Sequence, residues 1–187
     1  MILCSVPADR RRERPPRVAD RSWGEGMQLS EVFRVLTALD DAGVGVWLEG
    51  GWGVDALVGK QTRPHRDLDL DIDASNDRLA LHVLTELGYE IETDWRPNRI
   101  ELIAAAGWVD LHPLLFDPDG SARQPALDGG IHTFPKAYFD SGTLAGRPVG
   151  CFSVEAQLRF HSGYDLRPVD THDLRQLDAL LRRRPSA

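Results

Sequence analysis

Four aspartates, Asp67, Asp69, Asp71 and Asp73, alternate strictly with Leu68, Leu70 and Ile72. A period of two belongs to a half-buried β-strand, so all four carboxylates share one face. Side chains two apart on a strand stand about 7 Å from one another and point the same way, which lets Asp67 and Asp69 converge on one or two divalent cations. Four like charges in a row are unfavourable unless something positive sits over them. A solvated edge strand, its acids turned outward to discourage pairing, has the same pattern. A calcium loop of the EF-hand type does not, because it needs Gly at its sixth position and Glu at its twelfth, where this chain has Ile72 and Arg78.

Just upstream, Val46, Trp47 and Leu48 read as a short buried strand running into Gly50 and Gly51, and then into a helical stretch ending near Val58. Strand, glycine turn and helix start make a phosphate cradle, since glycine lets the backbone approach an anion and helix-start N–H groups carry partial positive charge. The alternative is a simple turn. No GxxxxGK[ST] sequence occurs, so this is not a P-loop. Between turn and acids lies a cationic run, Lys60, Arg63, His65 and Arg66, with Thr62 and Pro64 shaping the loop. Such a run is either an exposed connector or the counter-charge for a triphosphate beside metal-holding acids.

A third carboxylate comes from Trp108-Val109-Asp110-Leu111-His112, a second alternating strand on which Asp110 and His112 share a face. The preceding Arg99-Ile100-Glu101-Leu102-Ile103 alternates too, and Gly107 closes a hairpin that lays Arg99 and Glu101 beside them. The competing reading is the wet face of an antiparallel sheet.

Taken in order, Gly50-Gly51-Trp52-Gly53-Val54-Asp55, Thr62-Arg63-Pro64-His65-Arg66-Asp67-Leu68-Asp69-Leu70 and Trp108-Val109-Asp110-Leu111-His112-Pro113 resemble the antibiotic nucleotidyltransferases of the polymerase-β-like superfamily. The likeness is closest to the small lincosamide nucleotidyltransferases, with the aminoglycoside 2''-adenylyltransferases more distant. It extends through Glu155-Ala156-Gln157-Leu158, Phe160-His161-Ser162-Gly163-Tyr164-Asp165-Leu166, Val169-Asp170 and Asp173-Leu174, and so covers roughly residues 29 to 181. Many superfamily members have Gly-Ser at the phosphate turn. The Gly50-Gly51 pair is shared with the antibiotic-modifying branch and argues against a polymerase.

The resemblance implies an α+β fold: a mixed, largely antiparallel sheet with flanking helices and a short helical C-terminal segment. It implies Mg²⁺, as two ions, on Asp67 and Asp69 with Asp110 as the third acid, and an NTP donor, ATP in the first instance. Asp110 would accept a proton from a drug hydroxyl, with Glu101 the less favoured base, as pyrophosphate leaves. Gly50, Gly51, Trp52, Asp55, Lys60, Arg63 and His65 are the expected nucleotide contacts. Arg99, His112, His161, Tyr164 and Asp165 are the expected acceptor contacts, although a Tyr and a His at a helix end are often packed locally instead. A homodimer whose partner chain helps complete a shallow drug pocket is expected by the same analogy. Other acceptors stay open, an aminoglycoside or the end of a protein or tRNA, as does a non-catalytic nucleotide or metal sensor on this scaffold.

The whole composition fits these expectations. The 187 residues, 42% of them hydrophobic, suit one domain with a small appended lobe, and a net charge of −7 sits badly with nonspecific nucleic-acid binding while suiting a cationic drug. Cys4 and Cys151 form no metal-ligand spacing, and no apolar run reaches membrane-spanning length, so a reduced cytoplasmic setting is expected. The expected division is a disordered extension over 1–26, with Met27 as the natural start and no signal-peptide core, a nucleotidyltransferase core over 27–150, and a helical segment over 151–187 serving substrate and dimer. Ser30 is expected to cap a helix striped by Val32, Val35, Leu36 and Leu39 and ended by Gly43. Ser75 is expected to cap another that buries Leu79, Val83, Leu84 and Leu87 and stops at Gly88. Short strands fill 117–150, and two helices close the chain, from Val154 to about Ser162 and from Thr171 to about Arg183.

Overall fold

The structure, a computed structural model, describes residues 26–127 and 129–183. Apart from Gly26, the expected extension lies outside the described residues. The helices are α1 (Leu29–Asp41), α2 (Gly50–Val58), α3 (Asp77–Glu86), α4 (Val154–Phe160) and α5 (Pro168–Arg183). The strands are β1 (Val46–Leu48), β2 (Asp67–Asp73), β3 (Glu90–Trp95), β4 (Arg99–Ala104), β5 (Gly107–Phe116), β6 (Ala122–Pro125), β7 (Ile131–Phe134), β8 (Phe139–Leu144) and β9 (Arg147–Phe152).

These strands form one mixed sheet in the order β3-β4-β5-β2-β1-β9-β8, with β6 and β7 continuing from the far end of β5. The pairs β2·β5 and β1·β9 are parallel and the others antiparallel. The alternation in β2 sends Leu68, Leu70 and Ile72 to one face. There they join Leu48, Ile100, Leu102, Val109 and Leu111 beneath α1, α2 and α3 to make the main core. The opposite face carries the acids. Toward the end of β5 it turns apolar, where Leu114, Ala122, Phe134, Tyr138, Phe152 and Ala156 form a second cluster.

Helix α1 buries Val32, Val35, Leu36 and Leu39 as its stripe requires, and Gly43 leaves it at φ +78°. Its start is Leu29 after an extended Gln28, so Ser30 sits inside the helix and caps nothing. Helix α3 departs further from expectation. Asp73 accepts from the Ser75 amide at 2.8 Å, a 3₁₀ turn fills Ala74–Asn76, and the helix proper begins at Asp77. Leu84 is buried as expected, with Ala80 beside it, and Val83 and Leu87 pack part-buried against the core, but Leu79 is 41% exposed. The hairpin at Gly107 forms as expected, with Ala104 opposite Gly107. Helix α5 begins at Pro168, earlier than Thr171, because proline suits the first helical position, where no N–H is needed.

The boundary expected at 150/151 falls inside β9, and α4 and α5 pack against α2 through Val54, Val154 and Leu177. Cys151 is buried in the main core, and burial, with a smaller contribution from Asp140, pushes its thiol pKa up to about 12. Among the described residues no helix is long and apolar enough to cross a membrane.

Candidate active site

Register decides which acids meet. Across the parallel pair β2·β5, Asp67 lies opposite Trp108, Asp69 opposite Asp110 and Asp71 opposite His112. Across the antiparallel pair β4·β5, Asp110 also faces Glu101, and the next step on that face brings Arg99 beside His112. Neighbouring strands run about 4.8 Å apart, so Asp69, Asp110 and Glu101 form one row of carboxylates across three strands. Asp67 lies one step along β2. His112 Nε2 stands 3.9 Å from Asp69 Oδ1.

The wet-sheet reading does not survive this arrangement. Asp71 and Asp110 have no exposure, and Arg99, Glu101 and His112 are all buried. Charges are rarely enclosed like this unless paired or functional. Arg99 Nη2 meets Glu101 Oε1 at 3.0 Å, and its guanidinium lies 4.5 Å over the Trp95 ring. Asp67 and Asp69 are part-exposed, the accessible end of the row.

One acid went unnoticed in the sequence. Trp47 faces Asp71 across β1·β2, and the same register carries on to set Glu49 beside Asp69, where the Glu49 amide donates to the Asp69 carbonyl at 3.1 Å. Glu49 is buried and precedes α2 directly. Its signal was present, since an acid immediately before a glycine turn at the end of a strand sits where a strand delivers its last side chain to the working face. Arg66 is the last residue of the cationic run. It is exposed, and its guanidinium stacks 4.2 Å over Trp108, the neighbour of Asp67.

The glycine turn has Gly50 at φ +61°, a left-handed conformation that strains other residues, and it starts α2 directly. Close behind it, Trp52, Asp55, Arg63 and His65 form a largely buried network. Asp55, with no exposure, accepts from Thr62 N at 3.0 Å and Thr62 Oγ1 at 2.6 Å, and its second oxygen takes a very short contact with His65 Nε2. His65 packs on Trp52, ring centroids 4.5 Å apart, and both are buried. Arg63 makes a two-pronged pair with Asp173 of α5, at 2.8 and 2.6 Å. Lys60 is exposed beyond the far end of α2; at 1.5 Å per residue that is about 13 Å from Gly51. The seven expected nucleotide contacts thus stand at different depths around the turn. Gly50 and Gly51 line the turn, Trp52, Asp55, Arg63 and His65 are packed behind it, and Lys60 is remote.

His161, expected as an acceptor contact, lies at the end of α4. It is buried, its Nδ1 donates to the Gln157 carbonyl at 2.7 Å, and its Nε2 lies 3.6 Å from Asp173. Burial alone would raise the Asp173 pKa, but the hydrogen bonds and charges of Arg63 and His161 outweigh it and hold that carboxyl well below the ordinary range. Tyr164 is half-buried and Asp165 exposed, both in the turn between α4 and α5.

The donor set at the acid row is all oxygen, which suits a hard cation such as Mg²⁺. Among the described residues no three His, Cys, Asp or Glu side chains are gathered into a ready-made cage. Mg²⁺ does not demand one, because it binds through one or two carboxylates and completes its octahedron with water and substrate phosphate. Asp69 and Asp110, as neighbours across a parallel pair with Asp67 beside them, fit that requirement.

A glycine turn at a helix start, facing a row of acids on the adjoining strands of a mixed sheet, defines the chain as a nucleotidyltransferase. The family model for aminoglycoside-2''-adenylyltransferase matches residues 31–177, and the chain belongs to that family. A lincosamide resistance protein from Staphylococcus haemolyticus is 42% identical over 151 residues, 80% of this chain and 94% of that protein. A 2''-aminoglycoside nucleotidyltransferase from Escherichia coli is 29% identical over 154 residues, 76% of this chain and 78% of that protein. Among solved structures, the lincomycin-bound lincosamide antibiotic adenylyltransferase LnuA superposes with a TM-score of 0.77 at 40% identity, covering 83% of this chain and 99% of that one. ANT(2'')-Ia in complex with adenylyl-2''-tobramycin, at 20% identity and a TM-score of 0.66, covers 81% of this chain and 88% of that one, and shares the fold. The expected α+β fold is the one found.

Proposed function

We propose that the protein transfers AMP from ATP to a hydroxyl of a lincosamide antibiotic and releases pyrophosphate. The observation that carries this is the pairing of Asp69 with Asp110 across β2·β5, with Asp67 on the same face and the glycine turn at the end of the adjoining strand. The 42% identity to a lincosamide resistance protein supports the acceptor class.

Gly50 and Gly51 would receive the phosphates at the start of α2, where N–H groups point outward. Asp67 and Asp69 would hold Mg²⁺, with Asp110 as third acid. Bound there, two ions would supply charge neutralisation for the attacking and leaving oxygens of an in-line displacement. Asp110, enclosed and next to Asp69, would take the proton of the acceptor hydroxyl at its carboxylate. Glu101 is the less favoured base because Arg99 already engages it. Arg99 and His112 would shape the acceptor end, as would Tyr164 and Asp165. His161 backs Asp173 in our reading and does not touch the drug.

Residues 27–150 would form the catalytic unit and 151–187 its helical support. A homodimer would complete the drug pocket, and an ATP donor places the reaction in the cytoplasm. An aminoglycoside acceptor is the second reading, favoured by the family model and by the 29% identical relatives.

Pyrophosphate release with ATP, GTP, CTP and UTP against lincomycin, clindamycin, tobramycin and kanamycin tests both readings. A saturable signal with a lincosamide and a drug product heavier by one AMP is expected. Release only with aminoglycosides would favour the second reading, and none with any pair would end both.

A further inference from the structure

The loop over residues 59–66 joins the end of α2 to the start of β2, and so connects the glycine turn's helix to the strand of Asp67 and Asp69. An eight-residue connection of this kind leaves two elements free to slide unless it is tied back. Here it is tied twice. Asp55, one turn before the end of α2, takes Thr62 N, Thr62 Oγ1 and His65 Nε2 on its two oxygens. Arg63, between those two residues, is gripped by Asp173 from α5, 110 positions away in sequence. His172, adjacent on α5, places Nε2 3.1 Å from Thr62 Oγ1.

These ties bear directly on the glycine turn. A methyl group on Gly51 would overlap His65 Nδ1 and lie 2.5 Å from Cε1 and 2.6 Å from Arg63 Nη2. The imidazole and guanidinium are therefore what Gly51 rests on, and no larger residue leaves them room. The His65 carbonyl also accepts from Met27 N at 2.7 Å, and two residues later the chain reaches Asp67. One imidazole thus touches the phosphate turn on one side and sets the start of the acid strand on the other.

We infer that His65, held by Asp55 and flanked by the Arg63–Asp173 clamp, is a positioning residue that fixes the distance between the glycine turn and the acids of β2, and that α5 acts on the nucleotide half of the site through this clamp. The inference rests on the nucleotidyltransferase reading of the site. It turns the basic run from phosphate ligands into a brace, and it gives α5 a task other than drug recognition. Positional errors of about 1 Å in such a site cost on the order of a hundredfold, so the brace governs how well the triphosphate is seated and leaves the acceptor side alone.

The test compares His65→Leu with His65→Gln in the full chain, using ATP and lincomycin, with initial rates taken well below each variant's melting temperature. Glutamine presents an N–H where histidine has Nε2 and so keeps the donor to Asp55, whereas leucine keeps only the bulk. The expected result is a KM for ATP raised roughly tenfold to a hundredfold in His65→Leu, an unchanged KM for lincomycin, and recovery of most of the ATP effect in His65→Gln. Asp173→Asn, which weakens the second tie, is expected to show the same split and serves if His65→Leu fails to fold. Equal ATP constants in leucine and glutamine variants, or a parallel rise for both substrates, would overturn the brace. Inactivity of the unaltered protein with every donor and acceptor would instead overturn the reading beneath it.

Discussion

Replacing Asp110 by Asn separates chemistry from architecture at this site, because the two carboxylates that contend for the role of base differ in what surrounds them. Asparagine has the shape of aspartate but accepts no proton at neutral pH. If Asp110 is the base, turnover falls by about a hundred- to ten-thousand-fold, or about 2.7 to 5.5 kcal/mol in barrier height. Stability moves the other way. Asp110 sits between Asp69 and Glu101 at the spacing of adjacent strands, and at about 5 Å with an effective dielectric near 20 each like-charge neighbour costs about 3 kcal/mol before counter-charge is added. Asp110→Asn should therefore melt no lower than the parent, and still bind ATP. Glu101→Gln has the opposite profile. It removes the charge facing Arg99 across 3.0 Å, where both side chains are nearly inaccessible, and breaking such a pair costs about 3 to 5 kcal/mol of stability. The assay is single-turnover transfer to lincomycin for each variant beside its thermal melt and ATP binding by calorimetry. Undiminished transfer by Asp110→Asn, or a greater loss of turnover in Glu101→Gln than in Asp110→Asn, would refute the assignment.

Further expectations concern other parts of the molecule. Asp67→Asn and Asp69→Asn should each abolish transfer with a native circular dichroism spectrum, and near-normal turnover in either would remove that residue from the metal site. Asp173, whose carboxyl is held below its ordinary range, contributes stability that is present above about pH 4 and lost as pH falls toward its depressed value. The stability gap between parent and Asp173→Asn in urea titrations should accordingly narrow on acidification below about pH 4; a gap that widens there contradicts the pairing. Gly142→Ala should destabilise by about 1–3 kcal/mol, because the new methyl would overlap the Ala56 carbonyl oxygen and lie 2.6 Å from its carbon, both backbone atoms. A melt within 1 °C of the parent, roughly, would show that β8 and α2 give way more readily than this packing implies.

Much of the working face was legible in the sequence because period two is a local property. Alternation in Asp67–Asp73, in Arg99–Ile103 and in Trp108–His112 assigns each side chain to a face whatever the neighbouring strands are, and Gly107 closes a hairpin whose register follows from its short turn. The stripe of α1 is equally local, four apolar residues on one side of a 3.6-residue repeat. Leu79 shows where such reasoning ends. Its spacing suits a buried stripe, but the 3₁₀ turn ahead of α3 rotates the helix, and only packing against the sheet decides which face is turned inward.

Long-range pairing was beyond that reach. Alternation says that Asp69 and Asp110 each face one side of a strand, but a parallel neighbour separated by two other strands and a helix in sequence can be set at any register, and the fold alone makes them Cα partners. The chemistry of the basic run was undecided in the same way. Arg63 and His65 are cations beside acids in sequence, and what turns them inward is Asp55 from the preceding helix and Asp173 from the last one. Residue types and spacing determined which groups this protein has for its reaction and on which face they stand. Tertiary structure decided which of them meet, because the free energy of burying a charge depends on partners brought from far along the chain.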